Sequence, residues 1–250
     1  MQLDVQNKEW NMRRIGLWLT IALSGCVTVE SNNQQPLVSH PEQRSEARIA
    51  LGLGYMEQGN MPKARENLEK ALQHAPNYYR AQLSLAHYFE NVGESASAAS
   101  LYNKALKQHP NNGNVLNNYG TFLCKRGDYQ EADQYFRKAI EQPSYYQVSS
   151  SYENAALCAL KSGDNVQAKR YFIRTIEHDP QRIPSILNLA KLEIEDMEYT
   201  QARIRLMKFH QQYGLQVASL RLLIELENQA GNPSLEANYR AKLAEITPDS

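Results

Sequence analysis

A spacing of 34 residues organises most of this chain. Residues 45–78, 79–112 and 113–146 carry the same order of large apolar, small and proline residues. Each residue of this pattern in the middle segment has a counterpart 34 residues upstream. All of them except the proline also have one 34 residues downstream, where Pro143 comes one residue early. A unit of this length cannot bury its apolar face alone, so successive units must stack into a solenoid. In the middle segment the pattern consists of Leu85, Ala86, Phe89, Ala98, Tyr102, Ala105 and Pro110.

The order Leu-Gly-x2-Tyr, then Ala-x3-Phe, then Pro resembles the signature of tetratricopeptide (TPR) repeats. This resemblance implies an all-α fold, a right-handed superhelical solenoid in which every repeat contributes a helix A and a helix B. A two-residue insertion separates the third repeat from the fourth. We therefore expect about six helix pairs, at residues 45–78, 79–112, 113–146, 149–182, 183–216 and 217–250.

Composition and motifs argue against several classes of function. The 27 Lys and Arg residues balance the 27 Asp and Glu residues, so no net field would attract nucleic acid. The sequence contains no phosphate-binding loop, no HExxH pair, no zinc-ligand spacing and no Gly-x-Ser-x-Gly turn. We expect a protein that is not an enzyme and that uses no cofactor, metal ion or small-molecule substrate.

Residues 1–25 are predicted to be a signal peptide rather than part of the fold. Basic residues precede an apolar run at 15–23, which is shorter than the roughly 20 residues that a membrane-spanning helix needs. Met1 and Met12 are both possible starts for this segment.

The apolar run ends in Leu23-Ser24-Gly25-Cys26, which resembles the lipobox of bacterial lipoproteins. The resemblance implies cleavage before Cys26 and lipidation of its thiol. Val27 rather than Asp follows, which by the same resemblance implies an outer-membrane location. The alternative is a cleaved signal peptide with an incidental cysteine. Residues 26–44 are rich in Ser, Asn, Gln and Pro, and we expect them to form a flexible tether to the first repeat.

The resemblance to TPR domains also places certain helix A positions on a concave groove that binds partner proteins. An apolar strip of Ile49, Leu53, Met56 and Leu83 is predicted to be exposed there. The alternative is that the tether or neighbouring side chains cover this strip. The candidate groove residues are Ile49, Leu53, Met56, Leu83, His87, Asn114, Asn117, Lys125, Leu157 and Leu160.

Two cysteines lie on the A helices of adjacent repeats, Cys124 in the third and Cys158 in the fourth. In an exported protein both would meet an oxidising compartment, where such a pair can form a disulfide. The alternative is two buried free thiols, and the spacing does not decide between them.

The segment Asn117-Asn118-Tyr119-Gly120-Thr121-Phe122-Leu123-Cys124 is more specific than a TPR pattern. It resembles the N-N-Y-G-x-F-L-C segment of the PilF/PilW family of type IV pilus biogenesis lipoproteins. The resemblance implies an outer-membrane lipoprotein on the periplasmic face, a pilotin that binds the pilus secretin and promotes its localisation or multimerisation. The alternative is another outer-membrane TPR lipoprotein, such as a β-barrel assembly subunit or a periplasmic protease adaptor.

Overall fold

The structure, a computed structural model, describes residues 40–247. This part of the chain contains twelve α-helices and no strand. The helices are α1 (Pro41–Glu57), α2 (Met61–His74), α3 (Tyr79–Asn91), α4 (Ser95–Gln108), α5 (Gly113–Arg126), α6 (Tyr129–Ile140), α7 (Val148–Ser162), α8 (Asn165–His178), α9 (Ile183–Glu195), α10 (Tyr199–Tyr213), α11 (Val217–Gln229) and α12 (Pro233–Ile246).

The helices pack in sequential pairs, and each pair stacks on the next. Every odd-numbered helix contacts the even-numbered helix that follows it. Odd-numbered helices also contact one another along the stack, as α1 with α3, α3 with α5, α5 with α7 and α9 with α11. The odd helices are therefore the A helices and the even helices the B helices, and the predicted all-α arrangement of six helix pairs is confirmed for residues 40–247.

The first helix begins earlier than the sequence pattern predicted. Helix α1 starts at Pro41, so residues 41–44 are helical although we assigned them to the tether. Proline suits the first turn of a helix because the N–H that it lacks has no partner inside the helix there. The predicted signal peptide, the lipidation site at Cys26 and the rest of the tether lie outside the described residues, as do residues 248–250 of the sixth repeat.

Close contact between the A and B helices depends on an alanine at the same position in each of the first five B helices. Four residues after each of these alanines comes a large side chain on the same helix face, buried between the helices. Burial of each such side chain contributes about 1.5–3 kcal/mol relative to exposure. The alanines, all without exposed surface, are Ala64, Ala98, Ala132, Ala168 and Ala202, and the large residues are Leu68, Tyr102, Phe136, Phe172 and Leu206.

The last two repeats replace an apolar core residue with a buried carboxylate. Glu193 on α9 and Glu227 on α11 occupy the place that Phe89 fills on α3, and they are 3% and 0% exposed. Arg205 donates to both oxygens of Glu193 at 2.6 and 2.9 Å. Arg203 donates to both oxygens of Glu227 at 2.6 and 2.8 Å. Both arginines lie on α10, so two ion pairs hold this helix between α9 and α11.

The environment of Glu227 favours its charged form. Hydrogen bonds from Arg203 lower the pKa of Glu227 below its ordinary value, Asn232 adds to this effect, and burial opposes it. Asn232 donates from Nδ2 to Oε2 of Glu227 at 2.8 Å. The repeat pattern did not reveal these pairs, although an acidic residue at an apolar position of two successive repeats was a signal for them.

Replacing Arg203 by Met leaves the buried carboxylate of Glu227 without its main partner. We expect the free energy of unfolding at pH 7 to fall by roughly 2–3 kcal/mol, measured by urea denaturation with circular dichroism. As a control, the double variant R203M/E227M should recover most of the loss, since it removes both charges.

The same pair predicts a pH dependence. The folded pKa of Glu227 lies below its unfolded value, so its stabilisation is present above the unfolded pKa of about 4.3 and disappears as the pH falls through the folded pKa. The difference in stability between the wild type and Arg203→Met should therefore shrink on acidification. If this difference in stability stays constant from neutral pH down through the folded pKa of Glu227, the Arg203–Glu227 pair is not its cause.

Candidate functional site

Three successive A helices, α1, α3 and α5, form a cleft of about 370 Å³, which we call the first groove. It brings together four of the predicted candidates. Leu53 comes from α1, Leu83 and His87 from α3, and Asn114 from α5. The full lining is Leu53, Tyr79, Arg80, Leu83, Ser84, His87, Asn114, Asn118 and Gln147.

The predicted exposure of the apolar strip is wrong at two positions. Ile49 is 3% exposed because it packs against Ala71 and Ala81 in the core between the first two repeats. Leu83 is 8% exposed and packs mainly into the core of the second repeat, so it offers the groove little surface. Neighbouring side chains cover these two residues, as the alternative interpretation held. Leu53 and Met56 are half-buried, and Met56 packs against a core cluster instead of lining the groove.

Polar and charged groups dominate the first groove and its edges. Arg80 Nε lies 3.2 Å from Oε1 of Glu46. Lys125 Nζ lies 2.6 Å from Oε2 of Glu90, next to His87. Desolvation lowers the pKa of His87 below its ordinary value, Glu90 opposes the shift and Lys125 adds to it. Burial therefore favours the neutral form of the His87 imidazole.

The lining of the first groove suits a polypeptide better than a compact apolar ligand. Its amide, hydroxyl and guanidinium groups can bond the N–H and C=O groups of an extended segment. Gln147 completes this set from the loop between α6 and α7. Gln147 was not among the predicted groove residues because it falls at the insertion between repeats, where the repeat pattern assigns no position.

A second groove, of about 330 Å³, lies further along the A helices between α5 and α7. It collects three more candidates, Lys125, Leu157 and Leu160. Leu157 is 39% exposed, so this groove presents the apolar surface that the first groove largely lacks. The remaining lining residues are Thr121, Cys124, Phe136, Asn154, Cys158 and Lys161.

A disulfide joins the two A helices beneath the second groove. Cys124 on α5 and Cys158 on α7 are bonded, with their Cα atoms 5.8 Å apart. Of the two alternatives left open by the sequence, the structure has the bonded pair. A cross-link that closes a loop of this size, 34 residues, stabilises a fold by about 3–4 kcal/mol in the chain-entropy model.

The part of the chain at residues 40–247 holds neither a cluster of metal ligands nor a membrane-spanning helix. That range contains no group of three His, Cys, Asp or Glu side chains able to hold a metal ion. None of its helices combines the length and the apolar character needed to cross a lipid bilayer.

Comparisons with known proteins identify the family. Tetratricopeptide repeat models match residues 49–112 and 101–134. The chain is 35% identical over 235 residues to the type IV pilus assembly protein PilF of Pseudomonas aeruginosa, covering 93% of this chain and 92% of that protein. This chain belongs to the PilF family. The predicted family resemblance and the TPR fold are thereby confirmed.

Two solved structures support the assignment to the PilF family. A structure of Pseudomonas aeruginosa PilF superposes with a TM-score of 0.70 at 33% identity, covering 85% of this chain and 96% of that one. PilW, described as a widely conserved type IV pilus biogenesis factor, superposes with a TM-score of 0.71 at 27% identity, covering 83% and 96%.

The segment that first indicated the PilF family builds the junction between the third and fourth repeats. Asn117 was predicted to line the groove, but it is 8% exposed and its side chain faces α7. Its Oδ1 accepts hydrogen bonds from Ser151 Oγ at 2.8 Å and from Asn154 Nδ2 at 3.1 Å. Tyr145 OH lies 2.8 Å from the same Ser151 hydroxyl. Asn117 therefore fixes the repeat junction and is not available to a partner in the groove.

The tight contact between Gly113 and Tyr145 gives a stability test of this PilF-family junction. A Cβ at Gly113 would lie 2.4 Å from Cγ of the buried Tyr145 ring. We expect Gly113→Ala to lower the free energy of unfolding by about 1–3 kcal/mol through overpacking. The matched control is Gly54→Ala, because a Cβ there meets nothing within 4 Å and helix propensity predicts a gain of up to about 1 kcal/mol. If the two variants are equally stable in urea denaturation, the contact between Gly113 and Tyr145 leaves room for a Cβ and the prediction is wrong.

Proposed function

We propose that this chain is an outer-membrane lipoprotein scaffold of type IV pilus biogenesis, which binds the pilus secretin and promotes its localisation and multimerisation. One observation carries the proposal: the chain matches the Pseudomonas aeruginosa type IV pilus assembly protein PilF over 92% of that protein's length. A match of this extent includes the repeats and the junctions between them, so it supports a shared role rather than a shared motif.

The two grooves supply the binding surface in this proposal. A secretin segment lies along the A helices and forms hydrogen bonds to the polar lining of the first groove. Apolar side chains of the same segment contact Leu157 and Leu160 in the second groove. The disulfide between Cys124 and Cys158 holds α5 against α7 while the segment is bound, so less conformational freedom is lost on binding.

The lipid anchor gives the scaffold its location. The lipobox ending in Cys26 supports acylation, and two or more acyl chains hold a protein stably on a bilayer where one gives only marginal binding. Anchoring concentrates secretin subunits at the membrane in which their ring forms, which favours multimers without any catalytic turnover.

A charge in the first groove should weaken secretin binding. We expect Leu53→Glu to reduce the affinity by about tenfold or more, because the carboxylate must be desolvated against the bound segment. In a strain lacking the chromosomal gene, this variant should yield fewer secretin multimers on a gel than the wild-type gene does. Ile204→Glu is the matched control, since Ile204 is 51% exposed on α10 away from both grooves.

Two results would count against this function. Normal amounts of outer-membrane secretin multimers in the deletion strain would remove the proposed role. Undiminished secretin binding by a folded Leu53→Glu protein would exclude the first groove as the secretin-binding site.

Removal of the lipidated thiol tests the proposed location separately. Cys26→Ala should abolish labelling by radioactive palmitate and remove the protein from the outer-membrane fraction. Ser24→Ala is the control, because a small residue before the cysteine keeps the lipobox pattern. Unchanged fractionation of Cys26→Ala would exclude the lipid anchor.

A further inference from the structure

Charge pairs join successive repeats at two of the five junctions, on the side of the B helices. At the first junction Arg65 Nη1 on α2 lies 3.4 Å from Oε1 of Glu94, at the start of α4. The Arg65 guanidinium also stands over the Phe89 ring, 5.6 Å from its centroid. At the fourth junction Lys169 Nζ on α8 lies 2.8 Å from Oε2 of Glu198, at the start of α10. A cation of one repeat therefore bridges to an acid of the next.

The third junction, between the third and fourth repeats, has acidic residues at both of these positions and therefore cannot form such a bridge. Asp133 on α6 occupies the place of Arg65, two repeats further on. Asp164 occupies the place of Glu94, allowing for the two-residue insertion. Two carboxylates thus stand where the first and fourth junctions place a cation and a carboxylate.

The aromatic residue of the first junction is missing at the third as well. Ala159 on α7 stands where Phe89 stands on α3. The result is a cleft of about 640 Å³ between α6, α7 and the start of α8. Ala159 and Tyr129 in its lining are half-buried, whereas Phe136 and Ala155 beneath them are buried. The polar residues of the lining include Asp133 and Asp164.

The carboxylates of Asp133 and Asp164 can each accept a further hydrogen bond. Asp133 accepts a hydrogen bond from Tyr171 OH and lies 2.9 Å from Arg137 Nη2, and its side chain is still 31% exposed. Asp164 Oδ1 accepts from the backbone N–H of Gln167 at 2.9 Å. Arg137 is the one cation among the residues lining the cleft, so two carboxylates and one guanidinium leave it with a net negative charge.

We propose that this cleft is a docking site for an arginine side chain of a partner polypeptide. The guanidinium would bond to Asp133 and Asp164, and its methylene stem would pack on the half-buried Ala159, directly above the buried Ala155. The precedent is internal to the chain, because Arg65 occupies the corresponding space at the first junction, between Phe89 and Glu94. This surface involves α6 and α8, so it goes beyond the proposed binding of secretin along the A helices.

Nuclear magnetic resonance on the full chain, labelled with ¹³C at alanine methyl groups, tests the proposal. The probe is the peptide acetyl-Gly-Arg-Gly-amide, and its neutral match carries citrulline in place of arginine. We expect saturable shifts of the Ala155 and Ala159 methyl signals with the arginine peptide and at least about fivefold weaker binding of the citrulline peptide.

Two variants test the geometry. Asp164→Asn keeps a side chain that caps α8 but removes the charge, so it should weaken arginine binding about fivefold. Ala159→Phe restores the aromatic residue of the first junction, fills the cleft and should abolish the shift of Ala155. The control for this added bulk is Ala237→Phe on exposed surface of α12, which should bind as the wild type does.

Three results would overturn the proposal: equal binding of the arginine and citrulline peptides, no saturable shift at any attainable peptide concentration, or unchanged binding by Ala159→Phe. Equal binding of a lysine peptide would overturn the assignment of arginine.

Discussion

Burial of one large side chain against one alanine, repeated in successive helix pairs, is the interaction on which the whole structure depends. Ala132 and Phe136 on α6 illustrate it, since both are almost completely buried between an A helix and a B helix. The alanine permits the close approach and the large residue fills the space that remains. Each repeat can complete this burial only with its neighbours, and the chain therefore extends as a stack of A and B helices.

Because packing explains the regular positions, function is expected where the pattern changes. Ala159 replaces a large residue and opens a cleft, whereas Glu193 and Glu227 replace large residues and form ion pairs instead. The same position of the repeat thus leaves a cleft in one case and forms a buried ion pair in the others. The difference depends on the B helices, since α10 supplies two arginines and α6 supplies Asp133.

The helical content, the pairing of helices and the family were predictable because they depend on periodicity and on a short specific segment. The exposure of particular side chains was harder to predict. Ile49 and Leu83 occupy positions that face the groove in TPR domains, yet both are buried against neighbouring side chains. Asn117 belongs to the segment that identified the family, and its amide is used inside the protein. A repeat pattern states which face of a helix a residue lies on, but not how close the next helix comes.

The sequence by itself determined the number of repeats, the alternation of A and B helices and the membership of the PilF family, because these follow from residue types at fixed spacings along one chain. Only the tertiary structure decided that Cys124 meets Cys158, that Gln147 joins the first groove and that Asp133 and Asp164 face one cleft. Each of these depends on distances between helices of different repeats. Such distances are set by the summed packing of many side chains, and no local pattern contains them.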